Sequence, residues 1–305
     1  IASGGNVITV VGFKPNWVWI KRRDASGDHA IFDAVRGAEE RLRSNDTDAE
    51  LNQPETLSTF DSDGFTLGNG TQVNGSSATF VSWNWKANGS GVDATSDMGG
   101  AGTGASATVS ANTEVGFSII KYTIGTSPDS YKTIPHGLGV KPEVLMVKRT
   151  DASGNNWAVW HHELGDNKYM SLNTTSAVNT DVTVFRTGSD YTNATTFGVR
   201  DTITGGEGND YICYAFKGID SYSKFGSYQG NGSSNGPFIY TGFRPSWILL
   251  KRTTSVFNWS IQDTKRDPFN VADAELYPND SSAETTLASY DILSNGFKIR
   301  TTSGA

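Results

Sequence analysis

An all-β fold is predicted, built from three tandem antiparallel β-sandwich modules of jelly-roll or lectin-like kind. Three observations predict it: a turn-rich composition, apolar segments with a period of two residues, and one motif that occurs three times. Gly, Ser, Thr and Asn fill 121 of the 305 positions. These residues favour turns, and Ala-, Leu-, Glu- and Lys-rich stretches are missing, which argues against helix bundles, coiled coils and doubly wound α/β enzymes. Eight Trp, fifteen Phe and eleven Tyr still supply cores large enough to offset the entropy of ordering.

The motif Gly12-Phe13-Lys14-Pro15-Asn16-Trp17-Val18-Trp19-Ile20-Lys21-Arg22 returns as Gly139-Val140-Lys141-Pro142-Glu143-Val144-Leu145-Met146-Val147-Lys148-Arg149. A third copy is Gly242-Phe243-Arg244-Pro245-Ser246-Trp247-Ile248-Leu249-Leu250-Lys251-Arg252. Each copy reads as a rigid Pro corner, a short apolar strand and a charged strand end. A polar turn follows, such as Asp24-Ala25-Ser26-Gly27-Asp28 or Asp151-Ala152-Ser153-Gly154-Asn155, and leads to a second apolar segment at Ala30–Asp33, Trp157–Trp160 and Trp259–Gln262. These pairs are predicted hairpins. Further strands are expected after an Asp or Asn and a Gly in Asp63-Gly64-Phe65-Thr66-Leu67 and Asn295-Gly296-Phe297-Lys298-Ile299, with Thr196-Phe197-Gly198-Val199 as a looser version, and closing strands where Val81, Trp83 and Trp85, or Ile212, Tyr214 and Phe216, alternate with smaller residues.

The resulting division is a first module over residues 1–87, a Gly/Ser/Thr/Ala-rich linker over 88–112 with no periodic apolar face, a second module over 113–220 and a third over 221–305. Pro15 to Trp85 spans 70 residues and Pro142 to Phe216 spans 74, so the third closing strand is expected near 315–319, past Ala305. The opening strand of the first module is expected to be incomplete by the same comparison. Two explanations are open: a window cut from a longer polypeptide, or strands donated by neighbouring subunits.

No residue pattern points to catalysis, and no metal or cofactor is expected. His161-His162-Glu163 is the densest group of acid/base side chains, but neighbours along a strand face opposite ways, so the two imidazoles are not expected to share an ion. They read as a polar hairpin end, or as a ligand-facing site. Asp61-Ser62-Asp63-Gly64 opens like a calcium loop, but Phe65-Thr66-Leu67 follows where oxygen ligands are needed, so it reads as a turn. Gly99 to Gly104 has the glycines of a phosphate loop without its Lys-Ser/Thr. There is no Gly-x-Ser-x-Gly elbow. Trp19, Trp157 and Trp160 are candidate sugar-stacking faces beside His161 and His162. The three Lys-Arg pairs read as solvated strand ends with Asp33 and Asp263 as partners, or else as a polyanion-binding stripe. The formal charge of -7 weighs against that stripe and against nucleic acid as a partner. Cys213 reads as a buried, inert thiol. Sequons such as Asn45-Asp46-Thr47 are expected by chance from this composition. No apolar run is long enough to span a membrane, and no membrane insertion is expected.

The Gly-Phe-x-Pro-x-Trp-Ile/Val-x-x-Lys-Arg motif, the segment from Tyr222 to Gly232 and Gly236-Pro237-Phe238-Ile239-Tyr240-Thr241-Gly242-Phe243-Arg244-Pro245 resemble tandem domains of unknown function in virion proteins of marine tailed bacteriophages. These proteins are labelled tail-fibre-like or structural, sometimes alongside laminin-G-like lectin domains. The resemblance covers nearly the whole chain and is strongest from Tyr222 to Arg300. It implies a non-catalytic virion protein in a tail fibre, appendage or capsid decoration, located on the extracellular particle. Its implied partners are other virion proteins and further copies of itself, a trimer by family comparison. Host attachment through surface polysaccharide is expected by fold analogy alone. A free secreted carbohydrate-binding module or adhesin is the alternative, and a glycan depolymerase the third reading. No functional residues carry over from the family.

Overall fold

The Gly-x-basic-Pro corner in each copy turns the chain directly into the strand that organises everything around it. The computed structural model describes residues 5–200 and 203–302, apart from the side chain of Ala288. The first stretch forms β1 (Asn6–Ile8), β2 (Trp17–Arg22), β3 (Ala30–Asp33), β4 (Gly37–Leu42), β5 (Leu51–Asn52), β6 (Leu57–Asp61), β7 (Gly64–Leu67), the one-turn helix α1 (Thr71–Asn74) and β8 (Phe80–Trp85). The next forms β9 (Val92–Asp93), β10 (Ser106–Asn112), β11 (Phe117–Thr123), β12 (Lys132–Pro135), β13 (Val144–Arg149), β14 (Ala158–His161), β15 (Lys168–Ser171), β16 (Asn179–Thr180), β17 (Phe185–Arg186), β18 (Thr196–Val199) and β19 (Asp210–Phe216). The last forms β20 (Phe238–Tyr240), β21 (Trp247–Lys251), β22 (Trp259–Asp263), β23 (Ala272–Glu275), β24 (Thr285–Leu293) and β25 (Gly296–Ile299). The chain is all-β, and every strand pairing among the described residues is antiparallel.

Each predicted hairpin is present as β2–β3, β13–β14 and β21–β22. The sheets run β5-β4-β3-β2-β8 beside β1-β7-β6, then β16-β15-β14-β13-β19-β11-β10-β9 beside β12-β18-β17, then β21-β22 beside β20-β25-β24-β23. An apolar cluster joins the two sheets of each set. Val18, Ile20 and Phe32 meet Leu57, Phe65 and Leu67; Leu145, Val147 and Trp160 meet Ile134, Phe185 and Phe197; Ile248 meets Tyr290, Ile292 and Phe297. The tight turn between β6 and β7 needs glycine. Gly64 has φ +141°, and a Cβ there would stand 1.9 Å from the Ile8 carbonyl oxygen.

Period two sends the alternate residues of the same strands to a fourth, shared core. Trp17 and Trp19 of β2, Val144 and Met146 of β13, and Trp259 and Ile261 of β22 meet there with Trp83, Phe117, Trp157 and Tyr214. β2 and β13 are therefore buried on both faces.

Residues 88–112 are not the linker that their composition suggests. They contain β9 and β10, and β10 pairs with β11 from Ser106↔Thr123 to Asn112↔Phe117. Buried Ala107 and Val109 pack into the core that also holds Trp160 and Tyr211, while Ser106 and Thr108 lie on the other face. Small residues hid a period-two pattern. Among the described residues β21 pairs with β22 alone, whereas β2 lies between β3 and β8 and β13 between β14 and β19.

Candidate functional site

The lysine of each Lys-Arg pair lies where the three copies of the hairpin meet loops from one another. Lys21 and Lys148 are fully buried, contrary to the expectation of solvated strand ends. Their ammonium groups donate to carbonyl oxygens rather than to Asp33 or Asp263. Lys21 Nζ reaches Arg22 O at 2.8 Å and Ser282 O at 2.8 Å; Lys148 Nζ reaches Arg149 O at 2.7 Å and Thr47 O at 3.3 Å; Lys251 Nζ reaches Phe257 O at 2.7 Å and Thr175 O at 3.1 Å. Burial lowers all three lysines to about 8. The arginines beside the first two stay at the surface and pair locally, Arg22 with Asp24 and Arg149 with Asp151.

The contacts close a cycle. The first hairpin holds the loop around Ser281 and Ser282 of the third copy, the second holds Thr47 of the first, and the third holds Thr175 of the second. A second set of bonds follows the same order: His29 Nε2–H donates to Tyr277 O (3.0 Å), Trp157 Nε1–H to Arg43 O (2.8 Å) and Trp259 Nε1–H to Ser171 O (2.9 Å). A third set joins backbones, from Glu284 N to Arg23 O, Glu50 N to Thr150 O and Val178 N to Thr253 O. His29 also accepts from Trp19 Nε1 at 2.8 Å, which fixes its proton on Nε2. Burial, aided by the Lys21 charge, pushes it down to about 3.

Each docking loop is held by one asparagine. Asn45, Asn173 and Asn279 accept from the backbone N–H of His29, Trp157 and Trp259 at 2.9, 2.9 and 2.8 Å. Sequence reading missed them. The signal was present: Asn45-Asp46-Thr47, Asn173-Thr174-Thr175 and Asn279-Asp280-Ser281 are three Asn-x-Ser/Thr segments at matching places, not chance sequons.

The other hairpin ends carry a second device. Asp33 accepts from Val35 N and Arg36 N, from Arg36 Nε at 2.5 Å and from the Tyr214 hydroxyl of β19 at 2.8 Å. Asp263 repeats this with Lys265 N, Arg266 N, Arg266 Nε at 2.6 Å and Trp83 Nε1 of β8 at 3.0 Å. His161 stands in the equivalent place, opposite Val144 as Asp33 is opposite Trp17, and its Nδ1 accepts from Glu163 N.

The proposed sugar-stacking faces are not surfaces. Trp19 and Trp157 are fully buried and Trp160 is 2% exposed, so none can offer a ring to a ligand. Trp19 and Trp157 belong to the shared core and Trp160 to that of the second sheet pair. The alternating pattern on the central strands was misread because both faces, not one, are covered. His161 and His162 also differ from expectation. The strand ends at His161 and a 3-10 turn over His162–Leu164 begins, so the rings lie side by side with centroids 4.8 Å apart. Burial lowers His161 to about 4, and His162 Nε2 lies 3.3 Å from Phe225 O. Among the described residues no group of three His, Cys, Asp or Glu is placed to hold a metal ion. An open hollow of about 350 Å3 lined by Lys14, Asn16, Phe60 and Ser90 brings together no pair of titratable groups.

Antiparallel sheets packed round a shared core, with polar side chains spent on joining one segment to another, define an all-β protein whose best-formed site is internal. A domain of unknown function, DUF7483, matches residues 2–305, and the chain belongs to that family. No curated protein and no solved structure matches it.

Proposed function

We propose that the protein is a non-catalytic structural component of a phage virion, placed in a tail fibre, appendage or capsid decoration, with three β-sandwich modules as its units. One observation carries the structural half of this reading. The buried amines of Lys21 and Lys148 and the buried imidazole of His29, each pushed toward neutrality by burial, are all bound to carbonyl oxygens of another copy. Such groups in an enzyme would face a substrate. The phage setting rests on the motif resemblance. Attachment to host polysaccharide is the adhesive half, and exposed loops would carry it because Trp19, Trp157 and Trp160 are covered.

Antibody labelling of purified particles tests the location: gold at a fibre or on the capsid supports the reading, and protein found only in the free secreted fraction replaces it with the adhesin. A glycan array tests adhesion. Incubation with host surface glycans and an end-group assay tests for the depolymerase, which sustained product release would favour. The homotrimer implied by the resemblance belongs to the same reading. Mass photometry decides it, since a monomeric mass leaves a single chain whose three copies stand in for three subunits.

A further inference from the structure

The small sheet of the second copy, β12-β18-β17, differs from its counterparts on the face turned away from the core. Period two puts Ile134, Phe185, Phe197 and Val199 into the local core, so Thr133, Gly198 and Arg186 lie side by side on the outer face. The matching station holds Val7, Thr66 and Thr59 in the first copy and Phe238, Lys298 and Asp291 in the third. Of the three, the second alone has glycine at the centre and an arginine beside it.

The missing side chain makes room for an aromatic platform. A Cβ on Gly198 would come within 2.6 Å of Tyr191 Cβ and of Arg186 O, so the glycine admits Tyr191 against the sheet. The adjoining Thr192 ties this loop down, its hydroxyl donating to Arg186 O at 2.5 Å and accepting from Gly198 N at 3.1 Å. Arg186 Cζ lies 4.4 Å from the centre of the Tyr131 ring and 5.1 Å from that of Tyr191, and Arg200 Cζ lies 4.9 Å from the Tyr131 centre. The two tyrosine rings are 5.4 Å apart. All four residues are half-buried.

The charge of this face is unbalanced. Arg36, Arg43 and Arg266 are held by carboxylates, but among the described residues Arg186 and Arg200 form no ion pair and their guanidinium groups donate no hydrogen bond. Asp181, whose carboxyl feels the Arg200 charge, spends Oδ1 on the Thr183 N–H and hydroxyl at 2.8 and 2.6 Å, and Asp166 accepts from the Thr187 hydroxyl. Asp129 and Asp190, close along the chain, pair with neither arginine. Sharing Tyr131 puts the two cations no more than about 10 Å apart, within the screening length at about 0.1 M salt. Lys132 Nζ, 3.5 Å from Arg200 O, adds positive charge at the same end of the sheet. Stacking on a ring occupies the flat face of a guanidinium and leaves its N–H edge for a two-pronged acceptor.

We propose that this outer face binds an acidic polysaccharide, with Arg186 and Arg200 each taking a carboxylate or sulfate group of the chain and Tyr131 and Tyr191 holding the guanidinium planes. Two separate cations on an open face suit successive acidic groups of one extended chain, and the formal charge of -7 disfavours nucleic acid in that place. The inference rests on the adhesive half of the reading above and gives it a site and a ligand class.

Biolayer interferometry of the 305-residue chain on immobilised alginate, dextran sulfate and neutral dextran tests it. Alginate or dextran sulfate should bind, more weakly as salt rises, and neutral dextran should not. The tighter of the two acidic chains tells whether carboxylate or sulfate is preferred. Arg186→Gln and Arg200→Gln should each weaken binding about tenfold, and together more, with an unchanged circular dichroism spectrum. The Arg186→Lys/Arg200→Lys variant keeps the charge without the two-pronged geometry and should recover only part of the loss. Arg22→Gln removes the same charge elsewhere on the surface and should leave binding unchanged. Four results overturn the proposal: no binding to either acidic chain, binding that the double Gln variant leaves intact, an equal loss from Arg22→Gln, or single-stranded DNA bound as tightly as both polysaccharides. A glycan array separates this failure from that of the adhesive reading. Glycans still bound by the double Gln variant would remove the site and keep adhesion, whereas an array with no bound glycan would remove both.

Discussion

Replacing Trp157 by Ala removes a fully buried indole from the shared core and a bond between copies at once. The ring stacks near Tyr214 with centroids 6.2 Å apart, and its Nε1–H reaches the Arg43 carbonyl at 2.8 Å. Burying a tryptophan covers about 200 Å2, worth roughly 5 kcal/mol at about 25 cal/mol per Å2, and measured losses for such truncations are about 3–5 kcal/mol. Leaving the Arg43 carbonyl without its donor adds about 1–3 kcal/mol. Against a typical total of about 5–15 kcal/mol, Trp157→Ala should bring the chain to the edge of unfolding. Trp157→Phe separates the two contributions. It keeps most of the apolar contact and deletes the bond, so its expected cost is about 1–3 kcal/mol. Urea unfolding followed by far-UV circular dichroism and by the fluorescence of the remaining tryptophans measures both variants. Because the bond joins the second copy to the first, Trp157→Phe should move one cooperative transition without dividing it. If only part of the signal moves, or the midpoint matches the parent protein, the copies do not support one another as the bonding cycle requires.

Three further outcomes are expected. Lys21 and Lys148 hold their protons less tightly folded, at about 8, than the unfolded value of about 10.5, so the unfolded chain binds more protons between these limits and stability should rise with pH across them, by at most about 3 kcal/mol per lysine. Urea midpoints at both ends of the window measure the rise, and the Lys21→Met/Lys148→Met double variant should flatten it. His29, at about 3 folded and about 6.5 unfolded, should cost stability as pH falls through that interval, up to about 5 kcal/mol; an acid unfolding curve for His29→Gln should lose that part of the slope. Asp33→Asn removes one of the two carboxylates paired with the buried Arg36 guanidinium, leaving Glu50, and should cost about 3 kcal/mol by calorimetry, whereas Asp24→Asn, in a partly exposed pair, should cost far less.

The strands and their hairpins were legible because aromatic alternation and the Pro corners are local signals, carried for example by Val81-Ser82-Trp83-Asn84-Trp85. Double-sided burial was less visible. A continuous run such as Trp17-Val18-Trp19-Ile20 does not say what covers its second face, and so Trp19 and Trp157 read as exposed rings when they are the centre of the molecule. The 88–112 segment was misread for a related reason: alanine and serine differ too little in size for their alternation to stand out, although Ala107 and Val109 are buried. The lysines failed on physical grounds. A Lys-Arg pair suggests solvent, and only the folded chain shows three loops whose carbonyl groups replace it.

The cycle of bonds among the three copies has a consequence for assembly. Three separate subunits held by the same contacts would come apart on dilution, because each bond would have to offset the entropy of bringing two bodies together. Here the peptide backbone already keeps every donor near its acceptor, so the local concentration is set by chain length and not by how much protein is present. The covalent link also removes a constraint. Identical subunits repeat every side chain at every position, but this polypeptide places Asp33, His161 and Asp263 at matching stations and can vary one without touching the others.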